Sequence, residues 1–474
     1  MTRPILILIV AMGATVPAAA QDRSSYYTAD YQVDALGIYR DIVGIRSAAG
    51  HGKVPEVADY LAARFRDGGF DSTDVHVLPQ TLSTGEKTAS LVVRYPGDGS
   101  SGRKPILLLG HMDVVEALPQ DWERDPFTLT EEDGYFFGRG SLDDKLGVTA
   151  LTTTFLRLKA EGFTPTRDLI IAFSGDEETN METIRSLVTE HHDLVDAEYA
   201  LNADGGNGVL DHDGSPAAYL LQAAEKTYAS FELTVRNPGG HSSMPRADNA
   251  IYELAGALKN IEAYRFPVRV SDVTRRYFET AASVTPGEIG EAMRRIARNP
   301  GDEDAIAVLN GDPSQVGIIR TTCVATMLKA GHAENALPQS ATATVNCRIF
   351  PGVEIADVQQ KLQDAARDPA LEIRVLDSPR SGPESSLNEE VVAAVADAVH
   401  ARYPEIPIIP YMAAYATDGR ETRIAGIPTY GISGLFIREE DIFSHGLNER
   451  IPVRGFYAAL DHWYRVLREL SGRP

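Results

Sequence analysis

Five side chains with metal-binding chemistry stand at separate points of this chain: His111, Asp143, Glu178, Asp204 and His445. Each lies where an apolar run stops or where glycines force a tight turn. Leu-Leu-Leu-Gly-His-Met-Asp spans 107–113, Gly-Arg-Gly-Ser-Leu-Asp-Asp-Lys 138–145, Ser-Gly-Asp-Glu-Glu 174–178, Asn-Ala-Asp-Gly-Gly 202–206 and Ser-His-Gly-Leu-Asn-Glu 444–449. Two imidazoles and three carboxylates, without cysteine, make an N/O donor set that suits zinc and, less well, manganese or cobalt. Five donors exceed by one what a closed structural zinc uses. If one carboxylate bridges, the same five make two three-donor sites with open positions, the arrangement of a two-metal hydrolase. Glu177 adjoins a donor and has the chemistry of a general base. Asp113 lies two residues beyond His111. An extended chain puts both on one side, where the acid can fix the imidazole tautomer while the other ring nitrogen binds metal.

Each fragment alone also has a structural reading. A partly buried His–Asp pair accounts for His111 and Asp113, a helix cap for Asp143 or Asp144, a solvated face for Glu177 and Glu178, and a loop for His445. His51, His76, His191, His192, His212, His332, His400 and His462 have no comparable setting. Coincidence favours chemistry: four strand-to-loop junctions each deliver a His or an acid to one expected sheet edge, and the fifth donor comes from the C-terminal segment.

Such junctions need buried strands with loops at their carboxyl ends. Short apolar runs into His111, over 168–173 and over 199–201 read as those strands, with further strands at 75–78 and 90–95. Helical spacing marks 31–45, 54–66, 146–160 and 182–190. The alternation predicts a three-layer α/β domain. The pattern changes after about residue 219. A strand at 229–236, a helix at 249–264, strands at 321–328 and 340–350, a helix at 353–366 and a strand at 371–376 give the β-α-β-β-α-β order of a ferredoxin-like α+β domain. A largely helical insertion at 268–314 interrupts it. A Pro/Ser/Gly linker at 377–386 leads to a helix at 387–403, strands at 406–409 and 428–432, and a last helix at 455–470. The expected division is a signal peptide (1–20), the first part of a catalytic domain (21–217), an inserted lid or dimerisation-type domain (218–378) and the second part of the catalytic domain (379–474).

With 67 acidic against 45 basic residues the net charge is −22, which argues against nucleic acid and anionic membrane surfaces as partners. Arg3, an apolar stretch over 4–16 and Ala18-Ala19-Ala20 form a secretory signal pattern, too short for a membrane span. The mature chain is therefore expected in the periplasm or secreted, without stable membrane association. The two cysteines, Cys323 and Cys347, flank a polar link at 331–338 with Asn335 at their midpoint. A hairpin there would bring them opposite each other, either bridged, as the compartment permits, or as buried thiols.

Taken together, the ordered motifs, with Gly-Gly-His-Ser-Ser at 239–243, resemble the co-catalytic zinc exopeptidases. That family includes carboxypeptidase G, carnosine dipeptidase, aminoacylase-1, succinyl-diaminopimelate desuccinylase and carboxypeptidase S. The resemblance implies two Zn(2+) ions per subunit, with Asp143 bridging, His111 and Asp204 completing one site, and Glu178 and His445 the other. It implies that Asp113 orients His111, that Glu177 deprotonates a zinc-bridging water and later protonates the leaving amine, and that His241 stabilises the oxyanion. Asn335 and Arg420 match positions that contact a substrate carboxylate, for which the arginine fork is suited. It further implies a cis peptide bond between Asp143 and Asp144, and in dimeric members His241 comes from the partner subunit. Leu146 stands where many members have glycine, and Thr179-Asn180-Met181 replaces their usual glycines after Glu178. The insertion at 268–314 and Thr417-Asp418-Gly419-Arg420 resemble the carboxypeptidase S and N-acyl-amino-acid hydrolase branch. The resemblance implies a metallopeptidase that cleaves an amide beside a free carboxylate in a short peptide or N-acyl amino acid, as a monomer or homodimer. Deacylation of a succinyl or carbamoyl amide is an alternative, and an inactive peptide- or metal-binding protein another.

Overall fold

The structure, a computed structural model, describes residues 29–472, so the signal segment lies outside the described residues. The first part of the chain forms α1 (Asp30–Val43), α2 (Val54–Asp67), β1 (Val75–Thr81), β2 (Lys87–Tyr95), β3 (Ile106–His111), β4 (Thr130–Glu132), β5 (Tyr135–Phe137), α3 (Lys145–Ala160), β6 (Leu169–Ser174), α4 (Glu182–Thr189), α5 (His192–Val195), β7 (Tyr199–Asn202), β8 (Asn207–Leu210) and β9 (Pro216–Glu225). Next come β10 (Thr227–Arg236), β11 (Gly240–His241), α6 (Ala250–Ala263), four helices α7 (Asp272–Ala281), α8 (Gly287–Arg298), α9 (Glu303–Gly311) and α10 (Val316–Ile319), β12 (Thr322–Ala330), β13 (Ala336–Leu337), β14 (Ser340–Ile349), α11 (Ile355–Ala366) and β15 (Glu372–Val375). The chain ends with α12 (Glu389–His400), β16 (Ile408–Ala413), α13 (Gly419–Ile424), β17 (Thr429–Gly431), β18 (Phe436–Arg438), β19 (Arg450–Pro452) and α14 (Val453–Gly472).

One unit comprises the described residues up to 223 with 385–411 and 417–472. Its large sheet runs β1-β2-β6-β3-β7-β17-β9-β8-β18, with β16 on β9. At its centre β6, β3, β7 and β17 are parallel. Every residue of β3, β6 and β7 is buried. That is why these runs are continuously apolar rather than alternating: helices cover a parallel sheet on both faces. Here α3 packs on β3 in company with α1 and α14, while α4 and α13 pack on each other and on β6 and β7. The result is the three-layer α/β arrangement. Because the strands are parallel, β3, β6 and β7 all end at the same edge.

The second unit comprises 224–384 with 412–416. Its sheet order, β12-β14-β10-β15, is antiparallel throughout and ferredoxin-like. On β14 burial alternates strictly, and Val345 and Ile349 pack with Phe231 and Leu233 of β10 and with Leu254 and Leu362 of helices α6 and α11. The expected limits of 218 and 378 differ from the observed ones because β9 and β10 follow each other with only Lys226 between, so the strand pattern gives no break. The return at 412–416 had no compositional sign: it is held by hydrogen bonds from Lys226 N to Ala413 O and from Arg348 Nη1 to Ala414 O. Strands β8 and β18, of four and three residues, and the small sheet β19-β5-β4 were too short to show a period.

Cys323 and Cys347 are directly opposed on β12 and β14 and form a disulfide. It closes a 24-residue separation and ties the edge strand to the sheet. Reduction, or Cys323→Ser with Cys347→Ser, is expected to destabilise this unit by about 2–4 kcal/mol. Urea unfolding of the full chain with and without reductant measures it.

Candidate metal centre

Three adjacent strands deliver the site. His111 is the last residue of β3 and pairs in register with Ser174 at the end of β6, from which the chain turns through Asp176, Glu177 and Glu178. Asp204 follows β7 by two residues. Asp143 comes from the turn before α3, and His445 from the loop between β18 and β19. The Asp143–Asp144 bond is cis, as the resemblance implied. A Cβ at 147 would lie 2.3 Å from Asp144 Oδ1 and 2.5 Å from Ala203 Cβ, so the close approach at the start of α3 requires a glycine at 147.

The donors converge. His111 Nε2 lies 2.9 Å from Asp143 Oδ1 and 4.0 Å from Asp204 Oδ2. His445 Nε2 lies 3.2 Å from Asp143 Oδ2 and 3.0 Å from Glu178 Oε1. Asp143 thus turns one oxygen to each histidine. Ligand atoms of His111, Asp143 and Glu178 lie within 4.8 Å of one another, as do those of His111, Glu177 and Asp204. Glu177, expected as a base, is therefore also within reach of a cation beside His111 and Asp204.

Electrostatics test whether a metal fits. Burial pushes the Glu177 and Asp204 carboxyls well above the usual range, and neighbouring acids, Asp143 among them, push the same way. Glu178 is also pushed up, by burial first. Asp143 is held below the usual range against its burial, by His111 and His445. The His445 imidazole is pushed up to about 10 by Asp143 and Glu178, and His111 is raised by Asp113 and Asp143 despite its burial. Protons on the histidines offset only part of the acid repulsion. Divalent cations on this N/O set would offset it fully, and the donors present fit zinc, manganese or cobalt.

Asp113 reaches His111 and does more besides. The His111 ring nitrogen Nδ1 lies 3.0 Å from the Asp113 backbone carbonyl and 3.5 Å from the carboxylate oxygen Oδ1. The carboxylate also accepts from Glu177 N at 3.1 Å and Glu178 N at 3.0 Å, so one residue orients the histidine with its backbone and the Glu177–Glu178 turn with its side chain.

Glu449 had no assigned role, although it closes the 444–449 motif. It is fully buried and accepts from Gly140 N (3.0 Å), Leu142 N (2.7 Å), Asp143 N (3.1 Å) and Arg139 Nη1 (2.6 Å). Arg139 Nη2 in turn donates to Gly446 O, next to His445. One carboxylate therefore shapes the turn that presents Asp143 and ties it to the loop that presents His445. Lys145, also buried, donates Nζ to Ile42 O and Ile45 O, and burial pushes its amine down to about 7.

Three expected site residues are not in this cluster of contacts. His241 and Asn335 belong to the other unit, where the ribbon β11–β13 joins them: His241 pairs with Ala336, and Ser242 N donates to Asn335 O. His241 is exposed, with Nδ1 accepting from Ser243 Oγ at 2.8 Å. Arg420, on α13, donates Nε and Nη2 to Glu421 Oε1 at 3.2 and 3.1 Å, and Nη2 also meets Met181 Sδ. The sequence pointed to the arginine but not to the acid beside it as its partner.

Residues 107–469 match the family model "Peptidase family M20/M25/M40". The chain belongs to this peptidase family. It is 31% identical to the N-fatty-acyl-amino acid synthase/hydrolase PM20D1 of Xenopus tropicalis over 374 residues, 77% of this chain and 72% of that protein. It is 28% identical to the probable carboxypeptidase S-like 2 of Dictyostelium discoideum, over 80% and 74% of the two chains. The fold is similar to that of an M20 family metallo-carboxypeptidase, Sso-CP2 from Sulfolobus solfataricus, with a TM-score of 0.66 at 18% identity and coverage of 92% and 98%. It is also similar to that of human carnosine dipeptidase 1, with a TM-score of 0.63 at 15% identity and coverage of 94% and 97%. As a member of the M20/M25/M40 family the protein is a metal-dependent hydrolase.

Glu449→Ala leaves Arg139 buried without its carboxylate and three backbone N–H groups unmatched. The expected cost is about 3–5 kcal/mol, with loss of bound metal. Denaturant titration together with metal analysis of the dialysed protein checks both.

Proposed function

We propose that this M20/M25/M40 member is an exported di-zinc hydrolase that cleaves the amide bond next to a free carboxylate in short peptides or N-acyl amino acids. The observation that carries the reading is Asp143, whose two oxygens face His111 and His445 separately, as a bridging ligand requires. His111 and Asp204 would hold one cation, and Glu178 and His445 the other. Bound there, the ions would activate a water and polarise the scissile carbonyl. Glu177 would accept a proton from the attacking water on a carboxylate oxygen and give it to the departing nitrogen. Its backbone N–H is pinned by Asp113, which steadies the aim of that carboxylate. His241 would stabilise the oxyanion, and Asn335 and Arg420 would read the substrate carboxylate. Glu421 fixes the plane of the Arg420 guanidinium for that purpose. The names of the sequence relatives, an N-fatty-acyl-amino acid synthase/hydrolase and a carboxypeptidase S-like protein among them, support peptides and N-acyl amino acids over succinyl or carbamoyl amides. Export is supported by the N-terminal pattern and by the disulfide. No helix among the described residues is long and apolar enough to cross a membrane.

A homodimer is supported by β12. This edge strand is largely exposed and carries Val324, Met327 and Leu328, each at least 60% exposed. A second copy pairing along it would cover both the apolar side chains and the open backbone row. Val324→Lys with Met327→Lys is expected to turn a dimer into a monomer in light scattering.

The chemical test uses the zinc-loaded full chain. Wild type is expected to hold two zinc ions and to cleave dipeptides or N-acyl amino acids, losing at least about 100-fold in kcat/KM when the substrate carboxylate is amidated. Glu177→Ala should lower kcat by about 10²–10⁴ and keep its metal. Full activity in that variant would overturn the mechanism. A protein that binds no metal would restore the reading of an inactive binding protein.

A further inference from the structure

In the run Thr417-Asp418-Gly419-Arg420 only the arginine has been given a part, yet Thr417 and Asp418 are both almost fully buried. They precede α13 and reach two different strand ends. Thr417 Oγ1 accepts from Asn202 Nδ2 at 3.0 Å and from Gly419 N at 3.1 Å. Asn202, the last residue of β7, accepts in turn from Asp204 N at 3.2 Å on Oδ1, so its amide joins Thr417 to a candidate metal donor. Asp418 Oδ2 accepts from Ser174 Oγ at 2.5 Å. Ser174 is the last residue of β6, opposite His111 in register, and its carbonyl accepts from Met112 N. Asp418 Oδ1 is buried without a hydrogen-bond partner. An acid kept there at that desolvation cost, for one hydrogen bond to one strand end, is not explained by filling space.

We propose that Thr417 and Asp418 are positioning residues that clamp the carboxyl ends of β6 and β7 at a set separation, and so fix Glu177 and Glu178 relative to Asp204. β6 and β7 are not hydrogen-bonded to each other, because β3 lies between them. The backbone ladder therefore couples their tips only by way of β3, where Asn202 lies opposite Leu109 and Ser174 opposite His111. A side-chain brace across both tips supplies the missing constraint, and it acts on donors from both halves of the cluster. Burial pushes the Asp418 carboxyl up to about 8, so asparagine, neutral and of the same shape, is its conservative replacement.

The inference rests on the reading that this cluster holds two metal ions, and the test separates the two. Thr417→Val, Asp418→Ala and Asp418→Asn are made in the full chain. Zinc affinity is measured by chelator competition, alongside kcat and KM. Thr417→Val and Asp418→Ala are expected to weaken zinc binding about 10–100-fold and to lower kcat with KM nearly unchanged, whereas Asp418→Asn retains the parent's zinc affinity. If Asp418→Ala does not fold, Ser174→Ala removes the same hydrogen bond from the strand side and replaces it. Folded Thr417→Val and Asp418→Ala (or Ser174→Ala) proteins with the parent's zinc affinity and kcat would overturn the clamp, as would Asp418→Asn being as impaired as Asp418→Ala. A parent protein that binds no zinc would instead overturn the functional reading on which the clamp depends.

Discussion

Carboxylates brought to one point repel one another, and this sheet edge gathers four: Asp143, Glu177, Glu178 and Asp204, around His111 and His445. Withdrawing each from water costs several kcal/mol unless an opposite charge meets it. The two imidazoles meet that need at Asp143, which is held ionised, but leave Glu177 and Asp204 pushed up. A cluster with such an excess of negative donors is stable when cations occupy it. The fold is arranged so that nothing else relieves the strain: no lysine or arginine makes an ion pair with any of the four among the described residues.

A second set of acids surrounds the first and behaves differently. Asp113 accepts from the N–H groups of Glu177 and Glu178. Asp176 accepts from those of Glu182 and Thr183, at the start of α4. Glu449 accepts from three in the Asp143 turn. Each turns its oxygens to backbone donors of the loops that carry the converging acids or, for Asp176, of the helix that follows one. Loops at the end of a sheet have many unmatched N–H groups, and a buried carboxylate satisfies two or three at once with charge-assisted bonds. The site is thus built from two shells of the same residue types: one aims its oxygens inward, the other holds the backbone still.

These two shells were not equally legible in the sequence. Strands β3, β6 and β7 showed as short, wholly apolar runs, because burial on both faces removes any need for polar alternation. The donors His111, Glu178 and Asp204 showed because they stand immediately after those runs. The supporting acids did not show. Asp113 was assigned to the histidine two residues before it, on strand geometry and the family resemblance, and the further reach of its carboxylate to the β6 loop had no local sign. Glu449 and Asp418 find partners on segments more than two hundred residues away. No local pattern encodes such a pairing, since the same residue types would serve equally well as surface acids. β9 had no reading of its own in the sequence, where the change of pattern was set at about residue 219; the separate partners of β9 and β10, β8 in one unit and β14 in the other, put the change between the two strands.

Long-range support has a thermodynamic consequence. The turn that presents Asp143 takes its shape from Glu449, beyond residue 440, and the β6 tip meets Asp418. The donors cannot all be in place until the C-terminal segment, with β17 and β18 in the large sheet and β19 in the small one, has joined the unit begun by β1 to β3. An ion that requires donors from both parts binds the assembled unit and not its fragments, so occupancy and the stability of the unit are linked through the same equilibrium. The inserted unit is outside that linkage in its own core, where a disulfide rather than a metal fastens the edge strand. One chain therefore secures its two units by different chemistry: a covalent tie between adjacent strands in one, and in the other charge that is balanced only when distant parts of the sequence meet.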